Sequence, residues 1–288
     1  MTAETVAYDL FLPEIRRSGV IFASPHSGRD YPQAFLQATV LDRHAIRSSE
    51  DAFVDRLYSA APRLGAPLLC ARVPRAYVDL NRGADEFDPA LIANARPGGH
   101  NPRVSSGLGV IPRVVSNARP IYRGKIPAAE AAARITDYWE PYHARLRALL
   151  DESRARFGEA ILIDCHSMPH EAIAHHGGGR GSPPDVVLGD RFGASAGAAV
   201  VERIEAAFAA AGLRVARNAP FAGAYIAQTY GWPSRRQHVV QVEIDRALYM
   251  DEATIRPSAD FAAVQALIEG VMAEIVAAHA TDLPLAAE

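Results

Sequence analysis

The chain has 288 residues, of which 49% are hydrophobic and 22% are charged, a composition typical of soluble globular proteins that argues against extensive disorder. The formal net charge of -3 gives no field that would gather nucleic acid or an anionic membrane, so neither partner is expected. Any affinity for an acidic ligand must therefore come from a local cluster of arginines.

Short apolar runs alternate with amphipathic stretches along the chain. Strands are predicted at 19–24, 66–73, 76–80, 161–165, 185–189 and 238–245, and helices at 42–61, 127–157 (with a kink at Pro141), 194–211 and 261–279. This alternation predicts an α/β fold with a mixed, mostly parallel sheet flanked by helices on both faces. No linker, repeat or low-complexity tract divides the chain, so residues 1–288 are predicted to form a single domain.

Two segments are predicted to lack regular structure. From Asn81 to Lys125 the periodicity disappears and glycine, proline and arginine become frequent, which in a compact domain indicates a functional loop region. The segment GGGRGSPP (177–184) lacks the lysine and the Ser/Thr of a phosphate-binding P-loop, so a surface loop is expected there. His170, His175 and His176 are interpreted as loop residues, with an extra metal site as the alternative.

The sequence predicts a cytoplasmic protein. Residues 1–14 contain neither the basic region nor the apolar core of a signal peptide. Nowhere do eighteen apolar residues follow one another, so a membrane span is not expected. Cys70 and Cys165 lie in apolar runs, which is typical of reduced, buried thiols.

Two predicted strands end in a histidine. GVIFAS (19–24) is followed by Pro25 and His26, and ILIDC (161–165) is followed by His166. Open α/β sheets bind ligands at the carboxyl ends of their strands, so neighbouring parallel strands would direct both imidazoles into one crevice. A core histidine is the alternative for each, but the matching placement favours two metal ligands.

A third ligand is needed, because a catalytic zinc ion takes about three protein ligands and keeps one position open. Glu50 and Asp51 stand at the start of a predicted helix, where N-capping is the competing role. Asp51 is favoured because Phe53, Val54 and Leu57 define a core face that turns its side chain inward, and Glu50 remains the alternative. Asp164 is a candidate acceptor for the outer nitrogen of a ligand histidine.

A candidate catalytic base lies on the strand HVVQVEID (238–245). Alternation places Glu243 on the face opposite Val242 and Ile244. A carboxylate within an apolar strand is either paired or active, because burying an isolated charge is costly. Burial would raise its pKa, which suits a base that accepts a proton from water. A structural ion pair with Arg246 is the alternative.

Six sequence blocks in order resemble the N-formylglutamate amidohydrolase family over nearly the whole chain. They are SPHSGRDYP (24–32), SSEDAFVDRLY (48–58), VPRAYVDLNR (73–82), DCHSMP (164–169), DVVLGDRFG (185–193) and QVEIDRALYMDE (241–252). The resemblance implies a phosphorylase/hydrolase-like fold related to those of zinc carboxypeptidases and aspartoacylases. It implies one zinc ion on His26, His166 and an acidic residue of the Glu50–Asp51 pair, with Glu243 as general base. The HxxE pair of carboxypeptidases is absent, since Arg29 stands three residues after His26.

The segment DLNR (79–82) suggests how the substrate is bound. The same letters occur in aspartoacylase-like deacylases, where the Asn–Arg pair binds a carboxylate, and a guanidinium matches a carboxylate with two parallel hydrogen bonds. The candidate substrate-binding residues are Asn81 and Arg82 first, then Arg75, Arg113 and Arg123 on the loop region, and Tyr225. Surface salt bridges are the alternative for Arg113 and Arg123, and a core position is the alternative for Tyr225.

The resemblance implies hydrolysis of N-formyl-L-glutamate to formate and L-glutamate, a step of histidine degradation. The small anionic N-acyl amino acid would then be the only partner that the sequence predicts, and the oligomeric state stays open. One alternative is a zinc amidase that acts on another N-acyl amino acid or on a peptide. Another is an inactive relative that retains only the carboxylate-binding residues.

Overall fold

The centre of the computed structural model, which describes residues 6–96, 101–174 and 182–280, is a seven-stranded sheet. The strands are β1 (Tyr8–Phe11), β2 (Val20–Ser24), β3 (Leu68–Ala71), β4 (Ala160–Met168), β5 (Val186–Gly189), β6 (Val215–Arg217) and β7 (Gln237–Asp245). Their order is β1-β3-β2-β4-β7-β5-β6. Only the β1–β3 and β5–β7 pairs are antiparallel, so β3, β2, β4 and β7 run parallel side by side.

Helices cover both faces of this sheet. They are α1 (Gln33–Ala38), α2 (Val54–Leu57), α3 (Pro102–Ser105), α4 (Ala128–Arg134), α5 (Glu140–Phe157), α6 (His170–Ile173), α7 (Ala198–Ala210), α8 (Tyr225–Tyr230) and α9 (Phe261–Ala278). Short 3-10 turns lie at Ala45–Arg47, Ser116–Ala118, Pro233–Arg235 and Arg246–Leu248, and a small hairpin is formed by β8 (Met250–Asp251) and β9 (Arg256–Pro257).

Alternation along the strands divides the core into two layers. On β2, Val20 and Phe22 face the cluster formed with α2, α7 and α9. Ile21 and Ala23 face the cluster formed with α5 and α8. Because both faces of these parallel strands are buried, β2, β3 and the first half of β4 are almost continuously apolar, while β7 and the end of β4 also carry polar residues. The predicted fold class, a mixed and mostly parallel sheet flanked by helices on both faces, is confirmed.

Two predicted elements are wrong. The helix expected at 42–61 is reduced to a 3-10 turn and α2, because the Asp51 N–H is donated to the carbonyl of His26 instead of to a helical carbonyl. Residues 76–80, all of which the structure describes, do not form the predicted strand. The N–H groups of Tyr77 and Val78 donate to the Pro74 carbonyl, as in a turn. The apolar side chains of this segment are buried beneath the loop region instead of within the sheet.

The segment predicted as one helix at 127–157 changes its hydrogen-bonding pattern in the middle. A π-helical turn spans Ile135–Trp139 between α4 and α5. Pro141 follows within the first turn of α5, and proline lacks the N–H that would be donated one turn back to Asp137. The predicted irregularity therefore takes the form of a π turn, an element that is frequent at functional sites.

Helix α9 is long and apolar enough to cross a membrane by length and composition, with a mean hydropathy of 1.7 over 18 residues. It includes Glu269 and Glu274. Ile268, Met272 and Val276 are buried in the same core layer as α2 and α7. Helix α9 thus packs on α2 and α7, and 33% of its 18-residue apolar window is buried.

Candidate active site

Two histidines meet at the carboxyl ends of neighbouring parallel strands. β2 and β4 are adjacent, and they bring the ring centroids of His26 and His166 to 4.8 Å from each other. Between them lies Asp51, whose Oδ2 is 2.9 Å from His166 Nδ1 and 3.4 Å from His26 Nδ1. All three residues are buried, and one ligand atom from each lies within 4.8 Å of the others, so the group can hold a metal ion.

A carboxylate faces the outer nitrogen of each imidazole. His26 Nε2 is 2.7 Å from Asp79 Oδ1, and His166 Nε2 is 3.1 Å from Asp164 Oδ1. The contact with Asp79 keeps the proton of His26 on Nε2 and leaves the lone pair on Nδ1. His26 Nδ1 is buried and has no hydrogen-bond partner in the described part of the chain, as expected for an atom that binds a cation. Asp164 lies at the outer position that the sequence predicts, but neither of its oxygens forms a hydrogen bond with a described residue, and His166 Nε2 also faces the amide nitrogen of Asn81.

Only Asp51 of the acidic pair faces the histidines. Its Oδ1 accepts a hydrogen bond of 2.9 Å from Arg246 Nη2, which leaves Oδ2 directed at both imidazoles. Glu50 is turned away, since it accepts hydrogen bonds from the Tyr31 hydroxyl at 2.6 Å and from Arg47 Nε at 3.0 Å. Between the two acidic alternatives, the geometry favours Asp51.

The electrostatics of this cluster favour a positive charge. Burial opposes protonation of His166, but the negative charge of Asp164 and the hydrogen bond to Asp51 hold its pKa well above the ordinary value. Burial likewise opposes ionisation of Asp51, yet its contacts with His166 and His26 hold its pKa well below the usual range. A site that stabilises both an imidazolium and an ionised carboxylate also stabilises a divalent cation on the same atoms.

Glu243 stands beside these residues on the next strand. β4 and β7 are parallel, and their register pairs His166 with Glu243. The carboxylate accepts a hydrogen bond of 2.8 Å from Gln241 Nε2. Burial raises the pKa of Glu243 to about 7, although His166 opposes this rise. Arg246, the partner in the alternative interpretation, is instead bonded to Asp51, and the described residues show no ion pair between Arg246 and Glu243.

These residues line one cavity of about 520 Å³. Its walls include His26, His166, Glu243, Gln241, Arg246, Arg75, Asn81, Arg82 and Arg103. The cavity does not include Arg113, Arg123 or Tyr225 among the described residues that line it. Arg113 Nε lies 2.7 Å from Asp88, and Arg123 is exposed.

Hydrogen bonds of its own side chains hold the DLNR segment next to the candidate metal centre. Asn81 Oδ1 accepts the Ile226 N–H at 2.8 Å, and Asn81 Nδ2 lies 3.2 Å from His166 Nε2. Arg82 donates from Nε to the Leu108 carbonyl at 3.0 Å. Arg75 Nε is 3.1 Å from Asp79 Oδ2. The segment therefore supplies Asp79, which contacts the outer nitrogen of His26, and the polar side chains of Asn81 and Arg82, which line the cavity.

Aromatic residues behind the cavity position this segment. Trp139, at the end of the π turn, donates from its indole nitrogen to the Arg82 carbonyl at 2.9 Å. One turn later, His143 Nε2 bonds to the Leu80 carbonyl at 2.9 Å. The Tyr225 ring lies against both, with centroids 5.9 Å from Trp139 and 5.6 Å from His143. Tyr225 thus belongs to a supporting layer behind the predicted substrate-binding residues.

Several residues around the candidate centre were not predicted for these positions from the sequence. Asp79 and Arg246 contact residues of the candidate metal centre, and Trp139 and His143 bond to the DLNR segment. Asp79 begins the DLNR segment, which contains Asn81 and Arg82, and Arg246 follows Glu243 by three residues. Their closeness in sequence to predicted site residues could therefore have identified both. His170 bonds to Asp245 at 2.7 Å, while His175, His176 and most of the segment at 177–184 lie outside the described residues.

We expect His143 to make the protein sensitive to acid. Burial lowers its pKa from 6.5 to about 3. Since the unfolded chain binds this proton first, stability should fall as the pH decreases from about 6.5 to 3, by on the order of 5 kcal/mol in total. Urea unfolding of wild-type and His143→Gln proteins at pH 7, 5.5 and 4.5 measures the difference. Exposed His44 provides the control, because His44→Gln should keep the wild-type dependence on pH.

The fold and the site together define an α/β hydrolytic enzyme with a candidate metal centre at the ends of its parallel strands. The chain belongs to the N-formylglutamate amidohydrolase family, whose model matches residues 18–250. It is accordingly a hydrolase that acts on an amide bond.

Relatives support this assignment over most of the chain. It is 35% identical over 266 residues to an N-formylglutamate deformylase of Pseudomonas aeruginosa, covering 91% of this chain and 94% of the relative. It is 32% identical over 239 residues to an N-formylglutamate deformylase of Pseudomonas putida, covering 82% and 83%. The crystal structure of an N-formylglutamate amidohydrolase from Ralstonia eutropha JMP134 superposes with a TM-score of 0.88 at 35% identity, covering 95% of this chain and 98% of that one.

Proposed function

We propose that this protein is a zinc-dependent amidohydrolase of the cytoplasm that cleaves N-formyl-L-glutamate to formate and L-glutamate. Residues 1–288 would form one catalytic domain. The observation that carries the proposal is the meeting of His26, Asp51 and His166 at a cavity that His26, His166 and Glu243 line. The names of the relatives from the two Pseudomonas species supply the substrate.

Zinc suits the donor set of the site. His26 Nδ1, His166 Nδ1 and one Asp51 oxygen provide two nitrogens and one oxygen, the ligand number that leaves a catalytic zinc one open position. The contacts of Asp79 and Asp164 with the outer nitrogens resemble those that orient zinc-binding histidines. When bound, the ion supplies Lewis acidity, which polarises a carbonyl and favours the ionisation of water.

Glu243 moves the proton in the proposed reaction. Its pKa of about 7 allows the carboxylate to accept a proton from the attacking water at neutral pH and to donate it afterwards to the departing amine. Oxygen from water forms the new bond to the formyl carbon, and the C–N bond breaks. The amine leaves as the neutral amino group of glutamate because it receives this proton.

Asn81 and Arg82 are proposed to hold the α-carboxylate of the substrate. They lie beside His166, so a carboxylate bound there places the adjacent amide next to Glu243. Arg75, which contacts Asp79 and lines the same cavity, adds positive charge on that wall. Fixing the amide in this way contributes to the rate by removing orientational freedom before reaction.

Assay of the purified protein before and after chelation tests the proposal. We expect formate release from N-formyl-L-glutamate, loss of that activity with the chelator, and recovery on addition of zinc. N-acetyl-L-glutamate and N-formyl-L-methionine serve as comparison substrates, since they change the acyl group and the side chain separately. A strong preference for the neutral side chain, or full activity without a metal ion, would contradict the proposal.

A further inference from the structure

Four arginines line the cavity, and one of them, Arg103, lies on the loop region after the DLNR segment. It lies on α3, a single turn whose first N–H groups are capped by Asn101: the side-chain oxygen accepts from Arg103 N at 3.0 Å and from Val104 N at 3.4 Å. A capped turn has a defined direction. Arg103 therefore projects from an ordered part of the loop region.

The turn that carries Arg103 is tied to Arg82. One oxygen of Glu86 accepts the Gly83 N–H at 2.8 Å, and the other accepts from Asn101 Nδ2 at 3.0 Å. From the other end, the Leu108 N–H bonds to the Arg103 carbonyl at 2.8 Å, and the Leu108 carbonyl accepts from Arg82 Nε. These contacts hold the backbone of Arg103 close to Arg82, and both residues line the wall of the cavity.

This wall carries positive charge that protein carboxylates do not neutralise. Arg75 is paired with Asp79 and Arg246 with Asp51. Arg82 and Arg103 form no ion pair within residues 6–96, 101–174 and 182–280; Arg82 donates to two backbone carbonyls instead. Burial lowers the pKa of Arg82, and the charges of Arg75 and Arg103 act in the same direction against that of Asp79. Anionic groups of a ligand would relieve this repulsion.

The two arginines that line the cavity differ in their exposure. Arg82 is buried and adjoins Asn81, whose amide nitrogen is 3.2 Å from His166 Nε2. Arg103 lines the same cavity but is exposed to solvent. In an N-formyl dicarboxylic amino acid, the α-carboxylate is next to the amide and the side-chain carboxylate is farther away. The order of the arginines from the centre outward thus matches the order of the carboxylates.

We propose that Arg103 binds the side-chain carboxylate of the substrate and thereby selects acidic over neutral N-formyl amino acids. This inference rests on the proposed function, and it assigns to Arg103 the second-carboxylate role that the sequence suggested for Arg113 and Arg123. A charge-assisted hydrogen bond at a partly exposed position has a moderate effect on binding. Arg103 is therefore a specificity residue, and the proton transfers do not depend on it.

The test compares N-formyl-L-glutamate with N-formyl-L-glutamine, which has nearly the same shape without the charge. Arg103→Gln should lower kcat/KM for the glutamate compound by about 10- to 100-fold and change that for the glutamine compound by less than about 3-fold. Arg103→Lys should restore part of the preference because it keeps the charge. Arg235→Gln, which removes an exposed guanidinium near the amino end of β7, is the matched control and should keep the wild-type ratio.

The outcomes separate this inference from the proposed function. An unchanged ratio of the two kcat/KM values in Arg103→Gln, whether both fall equally or neither changes, overturns the role of Arg103 while the wild-type activity upholds the proposed function. Equal kcat/KM values of the wild-type protein for the glutamine and glutamate compounds would also overturn the role of Arg103. If the metal-loaded wild type cleaves neither compound, the proposed function fails and this inference fails with it.

Discussion

Replacing Glu243 with Gln is expected to lower kcat for N-formyl-L-glutamate by about 10²- to 10⁴-fold, the range for loss of a general base. Glutamine keeps the size of the side chain and can still contact Gln241, but it cannot accept the proton of water. The metal content should be unchanged, since Glu243 is not among the three residues whose ligand atoms converge. Steady-state kinetics and metal analysis of the same preparation measure both effects.

Asp245 provides a control on the same strand face. Its carboxylate contacts His170 and accepts the Ala247 N–H at 3.0 Å, and it does not line the cavity. Asparagine caps a helix about as well as aspartate, and the ion pair that is lost involves the exposed His170, so Asp245→Asn should cost less than about 1 kcal/mol of stability and leave turnover within a few-fold of wild type. Turnover of Glu243→Gln close to the wild-type value would exclude Glu243 as the base.

The parallel core of the sheet and its histidines were predictable from local sequence. Strands β2, β4 and β7 are buried on both faces; apolar runs identify β2 and the first half of β4, and alternating apolar residues identify β7. Because parallel strand ends meet at one edge of a sheet, the positions of His26 and His166 after two such runs were enough to predict that they come together. The edge strands β1 and β6 were missed because they are short and half-buried, which leaves no clear apolar pattern.

Contacts that depend on loop paths were not predictable in the same way. Arg246 reaches Asp51 across 195 positions of sequence, and no periodicity records such a contact. Residues 76–80 are mostly apolar, as in a strand, but the loop region buries them. Their composition therefore indicates that they are buried but does not indicate which type of element they form. Arg103 lies in the region that lacks periodicity, where the sequence identifies arginines without showing which of them face the cavity.

The adjacent acidic residues Glu50 and Asp51 allow the metal centre to be tested by a matched pair of variants. Asp51→Asn replaces a charged ligand by a neutral amide and leaves the buried Arg246 without its carboxylate. We expect loss of stoichiometric zinc and a fall in activity of at least about 10³-fold, because the Lewis acid and the orientation of both histidines are lost together. The free energy of unfolding should fall by about 3 kcal/mol, as when one partner of a buried ion pair is removed.

Glu50→Gln likewise replaces a buried carboxylate by a neutral amide, at the neighbouring position. Its partner Arg47 is partly exposed, with 32% of its side chain accessible, so solvent compensates for much of the lost charge and the variant should retain one zinc ion per chain. Metal analysis after dialysis and urea unfolding compare the two proteins directly. Loss of zinc from Glu50→Gln with retention in Asp51→Asn would reverse the assignment of the acidic ligand. Equal loss from both would instead indicate that the backbone between the two residues, and not the Asp51 carboxylate, determines metal binding.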